Sequence, residues 1–495
     1  MPGARLRGMA PRATVVGSGP NGLVAAVSLA RAGYTVRVLE AAHTIGGGIR
    51  TAALTLPGYR HDVGSAVHPA ALSSPFFRAF GLRRRIDWVV PEASFAHPLD
   101  GDRAAIAWRD LDRTVDGLGR DGRAWAAMIG ALNDRLAQLV DFTGSQLLRM
   151  PRHPLVAARF GLDALAMGTH LGRAVLRTEA GAALLSGVLA HANTRLPSLA
   201  SAASGLFLAA HTHTDDGWAF PVGGAQSIAD VLTADLYAHG GTIETGVHVH
   251  GLGDLDVGDP QRGDILLLDT SPRLLLTHPD LPPRYARAVR DYRYGAAAAK
   301  VDFALDGPIP WRDPATALAP TVHLGGTRAE VEASENEVAR GRVSARPYVL
   351  AVQPSALDAT RAPAGHAVLW TYVHVPAGST LDPTELVIAQ VERFAPGFRE
   401  RILATHVTSA VQQAAQNPSN IGGDILGGAF TMLQAVRRPV VSTTPWRTPL
   451  PGVYLASAST PPGPGVTGMP GWYAARQALA DAGTPATLED LFVPK

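Results

Sequence analysis

The sequence predicts an α/β plus β fold. One domain, discontinuous in the chain, is built on a parallel sheet flanked by helices, and a second lays helices over a mixed sheet. Three observations carry this reading. A strand, glycine turn, helix, strand unit opens the chain between Ala13 and Glu40. A second strand, glycine loop, helix unit closes it in "GVYLASASTPPGPGVTGMPGWYAARQALADAG". The 495 residues are also too many for one ordinary core. Matching units at both ends, with helical and strand-rich material between, place the first domain at 12–95, 218–285 and 420–495. The second domain takes 96–217 and 286–419.

The elements follow in order. A strand over Thr14–Val16 enters the glycine turn, and a strand over Thr35–Leu39 follows the helix and ends at Glu40. Residues 120–210 read as mostly helical from the apolar spacing in "WAAMIGALNDRLAQLVDF" and "LVAARFGLDALAMGTHLGRAVL". "PVGGAQSIADVLTADLYAHGGTIETGVHVHGL" reads as turn, helix, glycine stop and two short strands. "DILLLDTSP" is a short buried strand, and 295–375 alternates strands such as "AAAKVDFAL", "YVLAVQP" and "VLWTYVHV" with Pro/Gly turns.

Composition excludes several function classes. Lys+Arg number 44 and Asp+Glu 42, a net charge of +2 that argues against an electrostatic nucleic-acid binder. Cysteine is absent, so thiol chemistry, thiolate zinc, iron–sulfur ligation and a cysteine-tethered cofactor are impossible. "HTHTDD" (211–216) and "HVH" (248–250) carry ligand-capable side chains, but three or four converging ligands are needed, and no metal site is expected. The start "MPGARLRGMAPRA" lacks the apolar stretch of a secretory signal, and no apolar run is long enough to span a bilayer. The expected location is the cytoplasm. Peripheral membrane contact is the alternative, through the 155–177 segment, where Arg159 and Arg173 sit among Leu, Phe and Met.

The strongest chemical signal is "ATVVGSGPNGLVAAVSLARAGYTVRVLE". Gly17 permits the tight turn, Gly19 lets backbone approach a pyrophosphate, and Gly22 lets the helix pack on the strand, with Ser18, Pro20 and Asn21 completing the loop. The helix N-terminus offers free N–H groups and partial positive charge to phosphates. Glu40, with Ala41 beside it, stands roughly 20 residues on, where a carboxylate accepts both ribose hydroxyls. An acid there disfavours a 2′-phosphate. The Rossmann-like domain is therefore expected to bind FAD or NAD rather than NADP.

"AAHTIGGGIRTAALTLPGYRHDVGSAVHP" follows, with Gly46, Gly47, Gly48, Ile49, Arg50 and Thr51 placed to lay backbone beneath a longer cofactor. A close-approach turn around Asp62, Gly64 and Ser65 comes next. Over essentially its whole length the chain resembles the FAD-dependent superfamily of phytoene (carotenoid) desaturases and flavin amine oxidases. The nearest likeness is to bacterial phytoene-dehydrogenase-like oxidoreductases. "NPSNIGGDILGGAF" and the tail share the likeness, while Thr467 and Pro470 depart from the His and Cys that related sequences often show. The resemblance implies FAD as cofactor. It places Gly465, Val466, Thr467, Gly468 and Met469 along the isoalloxazine ring and Val249 at the adenine end.

Only two lysines occur, Lys300 and Lys495, in a chain that otherwise uses arginine. Arginine cannot replace lysine where a compact, titratable ammonium is needed. "YGAAAAKVDFAL" resembles the strand that carries a water-holding lysine in flavin amine oxidases, which makes Lys300 the candidate catalytic residue. The alternative is a lysine ion-paired to Asp302, two residues on and on the same strand face. Trp370, Tyr372 and His374 also share a face, as core or as cavity wall. The function expected from the resemblance is hydride transfer from a small apolar substrate, a polyene, isoprenoid or specialised metabolite, to FAD. The electron acceptor is oxygen, a quinone or another carrier. Amine oxidation and a redox-neutral isomerase or cyclase are the alternatives.

Overall fold

A computed structural model describes residues 10–256 and 258–492. The first nine residues, which hold most of the stretch read for a signal, lie outside the described residues, as does Lys495. The principal strands are β1 (Arg12–Val16), β2 (Thr35–Glu40), β3 (Ala93–Leu99), β4 (Arg103–Trp108), β5 (Thr242–Thr245) and β6 (Ile265–Leu268). They continue as β7 (Ala297–Leu305), β8 (Thr321–Leu324), β9 (Val349–Val352), β10 (Ala367–Val375), β11 (Ile402–Thr408) and β12 (Val453–Leu455). The helices that matter below are α1 (Pro20–Arg31), α2 (Pro154–Met167), α3 (Glu179–Ala190), α4 (Leu199–Ala209), α5 (Gln226–Ala238), α6 (Thr384–Phe394) and α7 (Met469–Asp481).

Two sheets organise the molecule, and the fold is the α/β plus β architecture expected. The first runs in the order β12-β6-β1-β2-β5, every neighbour parallel. Its inner strands β1 and β6 are short and mostly apolar, as a parallel sheet covered on both faces requires, whereas β2 and β5 expose Arg37 and Glu244, which pair with each other. Helix α1 packs on it without a charged residue until Arg31, and Gly471 of α7 sits where an added Cβ would lie 1.9 Å from the Asn21 carbonyl. The two helices therefore meet backbone to backbone, which seats the tail loop over the N-terminal glycine loop.

The second sheet runs β11-β7-β10-β9-β8-β3-β4, antiparallel except at the β8/β3 pair. One face carries Ala299, Val301, Phe303, Leu369 and Val373 against α6. The other carries Ala298, Leu350, Val352, Trp370 and Tyr372 toward α3 and α4. Period-2 alternation thus gives one apolar face to a helix and leaves the other to line an interior. The domain boundary expected between residues 95 and 96 falls inside β3, which pairs in this second sheet on both sides of that point. The second strand expected within "TGVHVHG" does not form. Gly246 and Val247 instead donate to the Ala42 and Glu40 carbonyls as the chain leaves β5. The 155–177 segment breaks at Gly168, leaving α2 and a separate turn over Gly172–Val175.

Candidate cofactor and substrate site

The glycine turn closes because three glycines are pressed against one carboxylate-bearing residue, Asp269, just past the end of β6. A Cβ at Gly17, where φ is +98°, would lie 2.7 Å from the Asp269 carbonyl, and one at Gly19 would lie 2.7 Å from Asp269 Oδ2. At Gly22 it would meet the Gly17 carbonyl at 2.1 Å. The Gly22 N–H donates to Asp269 Oδ2 at 2.8 Å, so an acid of the chain takes one of the free donors at the start of α1. Burial raises Asp269 to about 7, with the charge of Glu40 adding to it and the Gly22 N–H opposing. Glu40 accepts from Ser18 N (2.8 Å) and Ser18 Oγ (2.6 Å) through one oxygen and from Ala42 N (2.8 Å) through the other. A carboxylate has about four acceptor sites, so Glu40 stiffens the loop and retains acceptor capacity toward the cavity it borders.

The second glycine cluster lies directly on the first. An added Cβ at Gly47 would be 2.9 Å from Gly19 Cα, and one at Gly64 would be 2.3 Å from the Gly48 carbonyl. Ser65 N donates to that carbonyl at 2.8 Å. The Arg50 guanidinium bonds the Gly47 carbonyl at 2.9 Å, and burial lowers its pKa. Asp62 pins the turn. It accepts from Thr51 Oγ1 (2.7 Å), Ala225 N (2.9 Å) and the buried guanidinium of Arg361 (2.7 Å).

The tail supplies the third wall. Between β12 and α7 the chain passes Gly463 and Gly465 and then Val466, whose φ of +53° is unusual for a β-branched residue. Such strain, of order 1–3 kcal/mol, persists where surroundings over-determine the backbone. Here the loop is held by Ser74 Oγ on the Thr467 carbonyl at 2.6 Å and Trp446 Nε1 on the Pro461 carbonyl at 2.9 Å.

The floor is the inner face of the second sheet. Register sets Lys300 beside Tyr372 and Asp302 beside Trp370. Lys300 is 2% exposed, donates to Asp302 Oδ2, and lies 5.5 Å from the Trp370 ring centroid. Burial lowers the Lys300 pKa against the pull of Asp302, and burial raises Asp302 to about 6 against the pull of Lys300. Lys300 is thus both a cavity residue and one half of a buried ion pair. Of the aromatic face, Trp370 and Tyr372 line the cavity, whereas His374 is turned to Glu335 at 2.8 Å.

These walls enclose one continuous cavity of about 1250 Å³. It touches Gly17, Gly19, Pro20, Asn21, Glu40 and Ala41 at one end, and Gly47, Gly48, Arg50, Gly64 and Ser65 along its side. Val249, Gly465, Val466, Thr467 and Met469 also border it, and Lys300 lies at the floor. Three expected residues lie off its wall. Ile49 is fully buried in the core of the first domain, because the turn over Gly47–Ile49 points its one large side chain inward. Gly22 and Gly468 act from behind: a Cβ on Gly468 would come 2.5 Å from Val24 Cγ2, where α7 begins against α1. The shape fits a long dinucleotide, since backbone approaches at Gly19, Gly47 and Gly64 leave no room for side chains along its length.

Of the cavity histidines, His191 carries no local signal in the sequence, whereas His248 and His250 belong to the "HVH" stretch. His191 lines the cavity and pairs through Nε2 with His323 Nε2 at 2.8 Å. Burial depresses both, His191 to about 3. His248 and His250 also line the cavity, with rings stacked 4.5 Å apart near Val249. The two histidines of "HTHTDD" are internal struts: His211 bonds Ser73 Oγ at 2.9 Å and His213 Nε2 accepts from Trp125 Nε1 at 2.9 Å. Helix α2 gives Phe160, Gly161 and Ala164 to the cavity while Leu155 and Leu162 face outward, 85% and 64% exposed. Its arginine, Arg159, is tied to Asp163, and Arg173 to Glu332.

Known proteins resemble the chain in sequence and in fold. Residues 15–80 match the NAD(P)-binding Rossmann-like domain model. The chain is 24% identical to rat (Rattus norvegicus) pyridine nucleotide-disulfide oxidoreductase domain-containing protein 2, over 95% of this chain and 93% of that protein. A shorter match of 35% identity links it to 4,4'-diapolycopen-4-al dehydrogenase of Metabacillus indicus, over 25% of this chain and 26% of that one. Among solved structures, a triple mutant of putrescine oxidase superposes with a TM-score of 0.60 at 15% identity, covering 95% of this chain and 98% of its own. With no cysteine, this chain has no thiol of its own for disulfide chemistry. No described helix is long and apolar enough to cross a membrane.

Proposed function

We propose that the chain is an FAD-dependent oxidoreductase that takes a hydride from a small apolar substrate. The observation that carries this is the continuity of the cavity from the Glu40 end, past the glycine clusters and the tail loop, to Lys300, Trp370 and Tyr372. Bound there, FAD would supply the two-electron acceptor. Its adenosine would lie by Glu40, Val249 and the stacked His248 and His250, its pyrophosphate by the Gly17–Gly22 loop, and its ring between the tail loop and the Lys300 floor.

What the protein's own groups do follows from where they stand. Leu165, Phe160, Phe207, Trp370 and Tyr372 bury an apolar molecule and exclude water, which is how positioning lowers the barrier to C–H cleavage. His191, kept neutral by burial and propped by His323, offers a ring nitrogen to an oxygen function on an otherwise apolar substrate. Lys300 holds a proton, or a water, at the floor. The match to the diapolycopenal dehydrogenase supports desaturation or oxidation of a polyene or isoprenoid. The electron acceptor in this reading is oxygen, a quinone or another carrier. The exposed leucines of α2, back to back with the cavity wall, suit a peripheral lipid surface from which such a substrate enters.

Anaerobic bleaching of the flavin by candidate substrates tests the proposal. Bleaching by an apolar alkene donor with no peroxide from an amine panel supports it. The putrescine oxidase fold and the strand-borne Lys300 favour one second reading, amine oxidation, which the reverse pattern would establish.

A further inference from the structure

Lys300 is not the end of the buried polar path. Asp302 Oδ2 receives Lys300 Nζ, but Asp302 Oδ1 has no hydrogen-bond partner, and it faces His61 Nδ1, which also has none, at 3.6 Å. Both side chains are fully buried. The other ring nitrogen, His61 Nε2, lies 2.8 Å from Thr55 Oγ1. Thr55 is half-buried in a loop whose Ala53, Pro57 and Gly58 are exposed. Two buried polar atoms left facing each other are costly unless a hydrogen joins them. A contraction of less than about 1 Å would bring this pair to bonding distance.

We propose that Lys300, Asp302, His61 and Thr55 form a proton relay from the cavity floor to solvent at the 53–58 loop. The proposal rests on the oxidation described above. Desaturation removes two hydrogens from adjacent carbons: one leaves with its electron pair as hydride to FAD, the other as a proton whose bonding pair becomes the new double bond. The Lys300 ammonium first passes a proton to Asp302, and His61 receives it at Nδ1 while releasing the hydrogen on Nε2 through Thr55; the amine so freed takes the substrate proton. Rotation of the imidazole resets the tautomer.

The surroundings favour a neutral, shuttling imidazole over a fixed imidazolium. His61 faces Lys300 and Asp302 from β7, Arg361 with its partner Asp62, and His406 from β11. Burial first, and then the positive charges of Lys300 and Arg361, lower its pKa to about 3. His406, half-buried beside Thr408, is likewise lowered by burial and by Lys300. The Asp62–Arg361 pair is self-compensated at 2.7 Å and bonded to the turn, so it shapes the field without joining the path.

The two-lysine composition makes the test direct. In FAD-loaded protein carrying ¹⁵N at lysine Nζ, only Lys300 and Lys495 give side-chain signals. Exchange of the Lys300 hydrogens with water is measured in wild type, His61→Phe and Thr55→Val, with Lys495 as reference. The relay predicts exchange slowed by roughly 10²-fold in His61→Phe, slowed less in Thr55→Val, and restored by added imidazole in His61→Gly. Exchange at the wild-type rate in folded variants overturns it, because it would show that Lys300 reaches water through the cavity mouth. Should His61→Phe not fold, Thr55→Val decides, since it leaves the buried cluster intact. The measurement needs no turnover, so a protein that oxidises no tested substrate still reports on the relay.

Discussion

Asp269→Asn isolates the buried carboxylate that the fold presses against Gly17, Gly19 and Gly22 of the glycine loop. The side chain is buried, accepts from Gly22 N at 2.8 Å, and has its pKa raised from 3.8 to about 7 by burial and by Glu40. A raised acid pKa means that the folded state holds the proton more tightly than the unfolded chain. The stability linked to it is present below about pH 4, falls as pH rises, and is fully lost above about pH 7. Three pKa units correspond to at most about 4 kcal/mol, at about 1.4 kcal/mol per unit. Asparagine keeps the shape and the acceptor oxygen for Gly22 N–H but cannot ionise. Urea unfolding of the apoprotein from pH 4 to 8.5 should give nearly equal stabilities for variant and wild type at the acid end. The variant should then gain on wild type to a plateau above pH 7, with tighter FAD binding at pH 8 because one negative charge has left the phosphate loop. A variant that tracks wild type across the range, or is weaker at pH 8, refutes the reasoning.

Glu40→Ala removes the acceptor that ties Ser18 and Ala42 and borders the adenosine end; a loss of about 1.5–3 kcal/mol in FAD affinity is expected by titration of apoprotein. Lys300→Met strips a buried carboxylate of its partner and should cost about 3–5 kcal/mol in urea unfolding. Adding Asp302→Asn should recover much of that loss, a coupling that a double-mutant cycle reads directly. His61, His68, His97, His191, His211 and His213 all have pKa values lowered to about 3 or 4, burial being the largest cause in each. Their stabilisation is present above about pH 6.5 and lost below it, each by up to about 1.4 kcal/mol per pH unit. Thermal unfolding should therefore fall steeply between pH 6.5 and 4, and His211→Gln should make that fall shallower.

What could be read from the sequence was what is encoded locally. The N-terminal unit announces itself because turn, close approach and helix packing each require a glycine at a set offset, and Gly17, Gly19 and Gly22 stand at those offsets. Alternation likewise puts Lys300 with Asp302 on one face of β7 and Trp370 with Tyr372 on one face of β10, and the register between the two strands joins those faces. Long-range partners stayed hidden. Asp269 reaches Gly22 across 247 residues, and His191 meets His323 across 132. Neither had a neighbour in the chain to mark it. Ile49 was read as part of a glycine loop, but the short turn directs its side chain into the core. The positive φ at Val466 lies in a loop whose neighbours Thr467 and Pro461 are held by Ser74 and Trp446 from elsewhere in the chain, so no local pattern marks it.

The most direct test of the account is the visible spectrum of the purified protein, with identification of whatever a denaturant releases. The purified protein is expected to be yellow with a bound flavin absorption and to release FAD on unfolding, a cysteinyl tether being impossible in a chain without cysteine. A colourless protein that cannot be reconstituted with FAD would contradict the account.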